Sequence, residues 1–293
     1  MKYVIKNILW ATDFSREAAD ALAYAELFAK KCRARIAAVH VVPEMGPALL
    51  EARPAYMEEV YQQVEANKAK AGKKLAEMAT KKGIPFDKVL IESGSPVKKI
   101  IEIAGREKAD LIVMGKRGQS ALEKVLVGSV ANGVLRHAPT PVLFVGKKRL
   151  SPEIRKILVP TDFSKREDVE RDFAWELASL FGADLTLLHV LALYNYRVGP
   201  ESAEAMLEDL LAQLKKREVR ERKNFKVSEE VIRDFNAAAG IVNYAQSKKF
   251  DLIAISTYTH TKLGRFFLGS NTERVISLSD VPVFAIPGAC TEE

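Results

Sequence analysis

The chain has 293 residues and a formal net charge of +7, with 48% apolar and 28% charged residues. At about 150 residues per domain this length predicts two domains, and the composition excludes a disordered, collagen-like or rod-shaped protein. No stretch approaches the roughly 18 uninterrupted apolar residues of a membrane helix, and no signal peptide is evident, so we expect a soluble cytoplasmic protein.

Short apolar runs alternate with helical periods along the first half of the chain. The runs predict strands at Asn7 to Ala11, Arg35 to Val42, Lys88 to Glu92, Asp110 to Met114 and Pro141 to Val145. Periodicity and capping residues predict helices after Ser15 as far as Cys32, from Ala55 to Lys82, after Ser95, and from Val130 to His137. Strands that alternate with helices favour a parallel sheet covered on both faces. The predicted fold class is therefore α/β, with a doubly wound parallel sheet.

The second half of the chain repeats the first. Ile8 to Ser15 reads ILWATDFS and Ile157 to Ser164 reads ILVPTDFS, 149 residues later. The triplet that begins at Asp110 returns at Asp251, 141 residues later. A period of this length indicates a duplicated domain, because each copy is long enough to have its own core. We therefore predict two domains of one fold, residues 1–148 and 154–289, joined by a short polar linker.

A glycine motif follows the predicted fourth strand of the first copy. It reads Gly115-Lys116-Arg117-Gly118, then nine residues, then Gly128-Ser129 at the start of a helix. Glycines permit positive φ and a close approach of backbone to an anion, and the helix N-terminus adds its positive end. Lys116, Arg117 and Lys124 would add charge. The motif indicates a phosphate site, with tight turns alone as the alternative interpretation.

Two further residues follow strands at the same predicted edge of the sheet. Asp13 comes directly after the first strand, where a carboxylate can accept a ribose hydroxyl or share a Mg²⁺ ion. Alternatively, Asp13 serves as a partner for the N-terminus of the following helix. Val41 ends the second strand, where its backbone could contact an adenine edge. Its neighbour His40 is interpreted as a core histidine with its hydrogen bonds satisfied.

These motifs together resemble the universal stress protein family. The likeness rests on Gly-x-x-Gly, nine residues and Gly-Ser, followed by Val-Ala-Asn-Gly-Val-Leu-Arg-His-Ala-Pro-Thr-Pro-Val-Leu at residues 130–143, and on the repeated Thr-Asp-Phe-Ser and His-Val. It extends over nearly the whole chain as two tandem copies. The resemblance implies Rossmann-like five-stranded parallel sheets of the adenine nucleotide alpha-hydrolase type, and ATP binding where the glycine motif is present.

The resemblance also implies a set of nucleotide-binding residues in the first copy. Ala11, Asp13 and Val41 would hold adenine and ribose, Met114 and Gly115 would border them, and Gly118, Gly128, Ser129 and Val130 would cradle phosphates. Thr12, Lys116 and Arg117 complete the candidate set. Ala11 departs from the family, which usually has proline there, whereas the second copy keeps Pro160.

The second copy departs from the motif where phosphate would meet backbone. Ser256 and Thr259 stand at the positions of Gly115 and Gly118. A β-carbon at both positions removes the close approach that glycine permits. We expect the second copy to bind nucleotide weakly or to serve as a scaffold.

Motifs of catalysis and of metal binding are missing from the sequence. It contains no Gly-x-x-x-x-Gly-Lys-Ser/Thr loop, no His-x-Gly-His and no Gly-x-Ser-x-Gly. Its four histidines have no metal-ligand spacing, and the two cysteines, Cys32 and Cys290, are too few for a zinc site. The function predicted is a non-catalytic regulatory protein that binds ATP, or ADP or AMP, with Mg²⁺ through Asp13. A slow ATPase or nucleotidyl-transferring enzyme and a nucleotide-free scaffold are the alternatives.

Expected partners follow from charge and from sheet edges. The run from Lys215 to Lys226 carries most of the excess basic charge but one aromatic residue, so it is interpreted as a solvated helix face and nucleic acid is an unlikely partner. The last strands of the copies, near Val142 to Val145 and Val283 to Ile286, need a partner at their edges. We expect them to form an intramolecular pseudo-dimer. A further homodimer and an unidentified protein partner stay open.

Overall fold

A computed structural model describes residues 4–44, 55–118, 127–146, 152–161, 168–192, 225–257 and 270–287. The chain divides into two compact units, Val4–Lys148 and a second that contains Arg149–Glu293. Among the helices of the described residues, none is both long and apolar enough to span a bilayer.

The first unit contains one parallel sheet of five strands. They are β1 (Asn7–Ala11), β2 (Arg35–Pro43), β3 (Lys88–Gly94), β4 (Leu111–Gly115) and β5 (Val142–Val145). Their spatial order is β3-β2-β1-β4-β5, and every neighbouring pair is parallel. Because the chain reverses its direction of winding between β1 and β4, the carboxyl ends of these two strands frame a crevice.

Helices connect the strands of the first unit. They are α1 (Arg16–Cys32), α2 (Ala55–Lys82), α3 (Pro96–Arg106) and α4 (Ser129–His137). Ser15 caps α1 as predicted, because its hydroxyl accepts the backbone N–H of Ala18 at 3.1 Å. Ser95 occupies the N-cap position of α3, but its side chain makes no capping hydrogen bond.

The core lies on both faces of the central strands. Every residue of β4 is buried, and Trp10 of β1 is fully buried. The indole Nε1 of Trp10 donates to the carbonyl of Ala18 at 2.9 Å, which satisfies the one polar atom of this large side chain. This bond fixes the first turn of α1 against the sheet.

The second unit repeats the arrangement. Its strands are β6 (Lys156–Pro160), β7 (Asp184–Ala192), β8 (Val227–Asp234), β9 (Leu252–Ser256) and β10 (Val283–Ile286), and its described helices are α5 (Asp168–Phe181), α6 (Ala237–Ser247) and α7 (Ser270–Leu278). The strand order is β10-β9-β6-β7-β8, again with all pairs parallel. The prediction of two five-stranded doubly wound α/β domains is confirmed.

An aspartate fixes the start of the central strand in each unit. The Asp110 carboxylate accepts the backbone N–H groups of Lys6 at 2.7 Å and Asn7 at 2.9 Å. In the second unit Asp251 accepts those of Arg155 at 2.9 Å and Lys156 at 3.0 Å. Asp110, directly before β4, thus connects that strand to the start of β1. Asp251, directly before β9, connects that strand to the start of β6.

We expect the substitution Asp110→Ala to lower the free energy of unfolding of the first domain by about 1–2 kcal/mol, because two backbone N–H groups lose a charged acceptor. Asp251→Ala should do the same in the second domain. Urea unfolding of the full chain measures both. Glu102→Ala, which removes an exposed carboxylate 3.1 Å from Lys99, serves as the control and should cost less than about 0.5 kcal/mol. Equal effects of all three substitutions would contradict the anchoring role.

Candidate functional site

A cavity of about 560 Å³ opens at the carboxyl ends of the strands in the first unit. Strands β1, β2 and β4, the loops that follow them, and the starts of α3 and α4 enclose it. All twelve candidate residues of the first copy line this cavity, namely Ala11, Thr12, Asp13, Val41, Met114, Gly115, Lys116, Arg117, Gly118, Gly128, Ser129 and Val130. Residues predicted from four separate stretches of sequence therefore meet around one space.

One side of the cavity is apolar. Ala11, Val39, Val41 and Met114 line it and are each at most 8% exposed. Pro96 and Ile100 of α3 add to this wall, although neither belongs to the predicted set of site residues. Pro96 begins the helix after β3, so its position at the same sheet edge was a usable signal. We call this wall the apolar slot, and its chemistry suits the ring of a ligand.

Another part of the cavity wall is formed by the start of α4. Gly128 donates its N–H to the carbonyl of Lys116 at 2.8 Å, which holds the start of α4 against the glycine loop. Ser129 and Val130 lie in the first turn of α4, where backbone N–H groups lack partners within the helix. This end of the cavity is therefore suited to an anion.

The glycines of the loop are required for space. A β-carbon at Gly118 would lie 2.6 Å from Oδ2 of Asp13, and one at Gly115 would lie 2.9 Å from backbone atoms of Glu17 and Ala18. The expectation of positive φ in this loop is wrong, because the described glycines with positive φ are Gly83, Gly94 and Gly182. Glycine is needed in this loop because the loop packs closely against the start of α1, and not because of its backbone conformation.

Asp13 serves the start of α1 and also lines the cavity. Its Oδ1 accepts the backbone N–H of Ser15 at 2.9 Å, so the alternative of a helix partner is realised. Its Oδ2 lies 2.6 Å from the place that a β-carbon of Gly118 would occupy. The carboxylate is thus fixed in orientation and also lines the cavity.

His40 makes the hydrogen bond expected of it, but it is half-buried and lines the cavity, so the prediction of a core position is wrong. Its Nδ1 lies 2.8 Å from the carbonyl oxygen of Thr12. Because a carbonyl can only accept, Nδ1 carries the proton. The second unit repeats the bond between His189 and Thr161 at 2.8 Å. This bond is present in both copies, so we assign it a structural role. It holds β2 against the loop that follows β1, and β7 against the loop that follows β6.

The two basic residues of the motif do not both offer a free charge to the cavity. The Arg117 side chain contacts the Glu17 carboxylate at 2.7 Å through Nε and at 2.6 Å through Nη2. Lys116 is only 4% exposed, and its side chain runs beside Gly146. The prediction that Arg117 supplies charge to a phosphate therefore needs correction, because a neighbouring carboxylate already neutralises it. Lys124 lies outside the described residues.

The second unit differs at the corresponding place. Thr272 of α7 stands where the first copy has Ala131, a residue of the cavity wall. The Thr272 hydroxyl donates to the carbonyl of Ser256 at 2.8 Å. Asp162, Tyr258, Thr259 and Gly269 lie outside the described residues.

Cys32 and His137 do not belong to the lining of the cavity. In the ranges that the structure describes, no group of three or more His, Cys, Asp or Glu side chains is placed to hold a metal ion. Burial raises the pKa of the Cys32 thiol, which disfavours its reactive thiolate. His137, in the last turn of α4, contacts the carbonyl of Gly133 at 2.8 Å. Cys290 lies outside the described residues.

Comparisons with known proteins agree on one family. The family model described as "Universal stress protein family" matches residues 5–146 and 153–287. A universal stress protein of Methanocaldococcus jannaschii is 35% identical over 144 residues, which cover 49% of this chain and 84% of that protein. One of Thermus aquaticus is 37% identical over 142 residues, which cover 48% of this chain and 99% of that protein.

A two-domain likeness also exists among solved structures. The crystal structure of a universal stress protein from Archaeoglobus fulgidus superposes with a TM-score of 0.66 at 24% identity, covering 96% of this chain and 97% of that one. At this identity the likeness establishes the fold.

Proposed function

We propose that this chain, which belongs to the universal stress protein family, binds an adenine nucleotide in its first domain and acts as a non-catalytic regulatory protein. The nucleotide is ATP, with ADP or AMP as the alternatives. One observation carries the proposal: the twelve candidate residues line a single cavity whose wall includes both the apolar slot and the start of a helix.

The chemistry of the cavity matches the parts of a nucleotide in order. The slot between Val41, Met114 and Ile100 accepts the adenine ring, and Asp13 accepts ribose hydroxyls. The backbone N–H groups of Ser129 and Val130 at the start of α4 bind phosphate oxygens. A Mg²⁺ ion that arrives with the phosphates would find an oxygen ligand in Asp13, although one oxygen of that carboxylate already serves Ser15.

Nucleotide binding is proposed mainly for the domain of residues 1–148. In the domain of residues 154–289, Ser256 replaces the glycine that packs on α1, and Thr272 bonds to the Ser256 carbonyl. Ser256 and Thr272 thus carry more side-chain atoms than Gly115 and Ala131, which occupy these positions in the first copy. The second domain is therefore proposed as a scaffold that completes a pseudo-dimer with the first.

Regulation is proposed to follow from the occupancy of the cavity. The nucleotide would bias the conformation of the loop from Lys116 to Val127, of which residues 119–126 lie outside the described ranges, and this loop or α2 would contact a protein partner. A ligand shifts such an equilibrium only by its difference in affinity for the two states.

Retention of nucleotide through purification tests the proposal. The purified full chain is denatured, and the supernatant is separated on an ion-pair column and quantified against the protein. We expect adenine nucleotide at up to one equivalent per chain, and calorimetric binding of ATP by protein stripped of it. Absence of both retained nucleotide and a binding heat would favour the scaffold. Many turnovers of labelled ATP per second would favour the enzyme.

A further inference from the structure

We infer that Glu17 is a positioning residue for the proposed nucleotide site, acting through Arg117 to hold the glycine loop in the form that receives phosphate. This inference rests on the proposed function and assigns a role to a pair of residues that the sequence analysis did not connect.

The contact between the two residues is extensive. Glu17 Oε2 accepts the backbone N–H of Arg117 at 2.8 Å. Oε1 accepts Nε at 2.7 Å and Nη2 at 2.6 Å. The side chains are only 15% and 27% exposed, so water competes weakly for these bonds. One carboxylate therefore holds both the backbone and the side chain of the residue that precedes Gly118.

The neighbouring contacts fix the loop at the same turn of α1. Gly115 packs against the backbone of Glu17 and Ala18, and Gly118 packs against Asp13. The Ser15 hydroxyl lies 3.5 Å from the carbonyl of Arg117. The Gly-x-x-Gly turn thus packs on the start of α1. Glu17 adds the hydrogen bonds of its charged carboxylate to this contact.

The second copy loses this pair together with the glycines. Position 17 corresponds to Arg166 and position 117 to Tyr258, at the same offsets that align the repeats. The offset holds through α1, since Arg33 and Gly182, which end the two helices, both have a left-handed backbone. The pair and the two glycines are present in one copy and replaced in the other, as expected if they serve one loop geometry.

The direction in which Glu17→Ala changes the affinity for ATP distinguishes a positioning role of Glu17 from direct binding of phosphate by Arg117. If Glu17 positions the loop, Glu17→Ala weakens ATP binding by about tenfold or more, because bonds to a charged group are lost. If Arg117 instead binds phosphate itself, Glu17 competes for its guanidinium, and Glu17→Ala tightens ATP binding. Calorimetric titration of the stripped full chain with ATP measures the change.

Two further variants keep the test independent of misfolding. Arg117→Ala leaves the backbone N–H bond to Glu17 intact, so we expect a smaller loss than for Glu17→Ala. Glu17→Gln keeps an oxygen acceptor and should also lose less. Glu102→Ala, which removes an exposed carboxylate on α3, is the matched control and should bind ATP as the wild type does. A larger loss for Arg117→Ala than for Glu17→Ala would overturn the inference.

The affinity for adenosine distinguishes a positioning role of Glu17 from general damage to the cavity, because general damage would lower it. Because adenosine has no phosphate, its affinity should stay the same in Glu17→Ala, while that of ATP falls. Equal losses for both ligands would overturn the positioning role. Wild-type protein that binds no ATP would refute the proposed function itself, whereas wild-type binding with unchanged binding by Glu17→Ala would refute this inference alone.

Discussion

Replacing Gly118 with alanine is expected to weaken ATP binding by about ten- to a hundredfold, the effect of losing a hydrogen bond to a charged group. The new β-carbon would lie 2.6 Å from Oδ2 of Asp13. Asp13 cannot rotate freely, because its Oδ1 holds the N–H of Ser15. Either the carboxylate leaves the ribose position or the loop retreats from the phosphates. Calorimetry with ATP and adenosine measures the loss, which should affect both ligands if Asp13 moves.

The matched control for this substitution is Gly105→Ala. Gly105 lies within α3, and a β-carbon there meets no atom within 4 Å. Alanine is favoured over glycine inside a helix by about 0.5–1 kcal/mol, so this variant should gain stability and bind ATP unchanged. ATP affinity equal to the wild type in Gly118→Ala would show that the ligand does not use this part of the cavity.

Local sequence signals predicted most of the fold. The alternation of strands and helices, the Ser15 cap and the extent of the helix Ala55–Lys82 all agree with the structure. Differences are confined to element ends: β2 reaches Pro43 and β3 reaches Gly94, because these residues pair with each other in the parallel ladder. Pairing between distant strands is a tertiary effect that periodicity within one segment does not contain.

The cavity lining was predictable for a different reason. The residues after each strand of a parallel sheet lie at one edge, so strand ends alone bring Asp13, Val41 and Gly115 together. The role of each side chain was harder to predict from the sequence. Glu17 and Arg117 are 100 residues apart, and nothing in either segment indicates their ion pair. A basic residue beside a glycine motif suggests phosphate until the acidic partner is known from the fold.

The last prediction concerns the difference between the two copies. Gly128→Val should weaken ATP binding by about ten- to a hundredfold. A β-carbon at Gly128 would lie 3.5 Å from the N of Gly118 and 3.5 Å from the carbonyl of Lys116, which is ordinary contact. Alanine should therefore be tolerated, whereas the two methyl groups of valine extend further into the gap between the glycine loop and α4, where phosphate oxygens are expected.

The corresponding substitution Gly269→Val should leave ATP affinity nearly unchanged. We expect this because Ser256 and Thr259 stand where the first copy has Gly115 and Gly118, so the second copy already lacks the glycines of the motif. Calorimetric titration of the wild type should give one ATP site per chain, and Gly128→Val should remove most of its heat. Two equal sites in the wild type, or equal losses from the two valine substitutions, would mean that the second copy keeps a functional site despite its lost glycines.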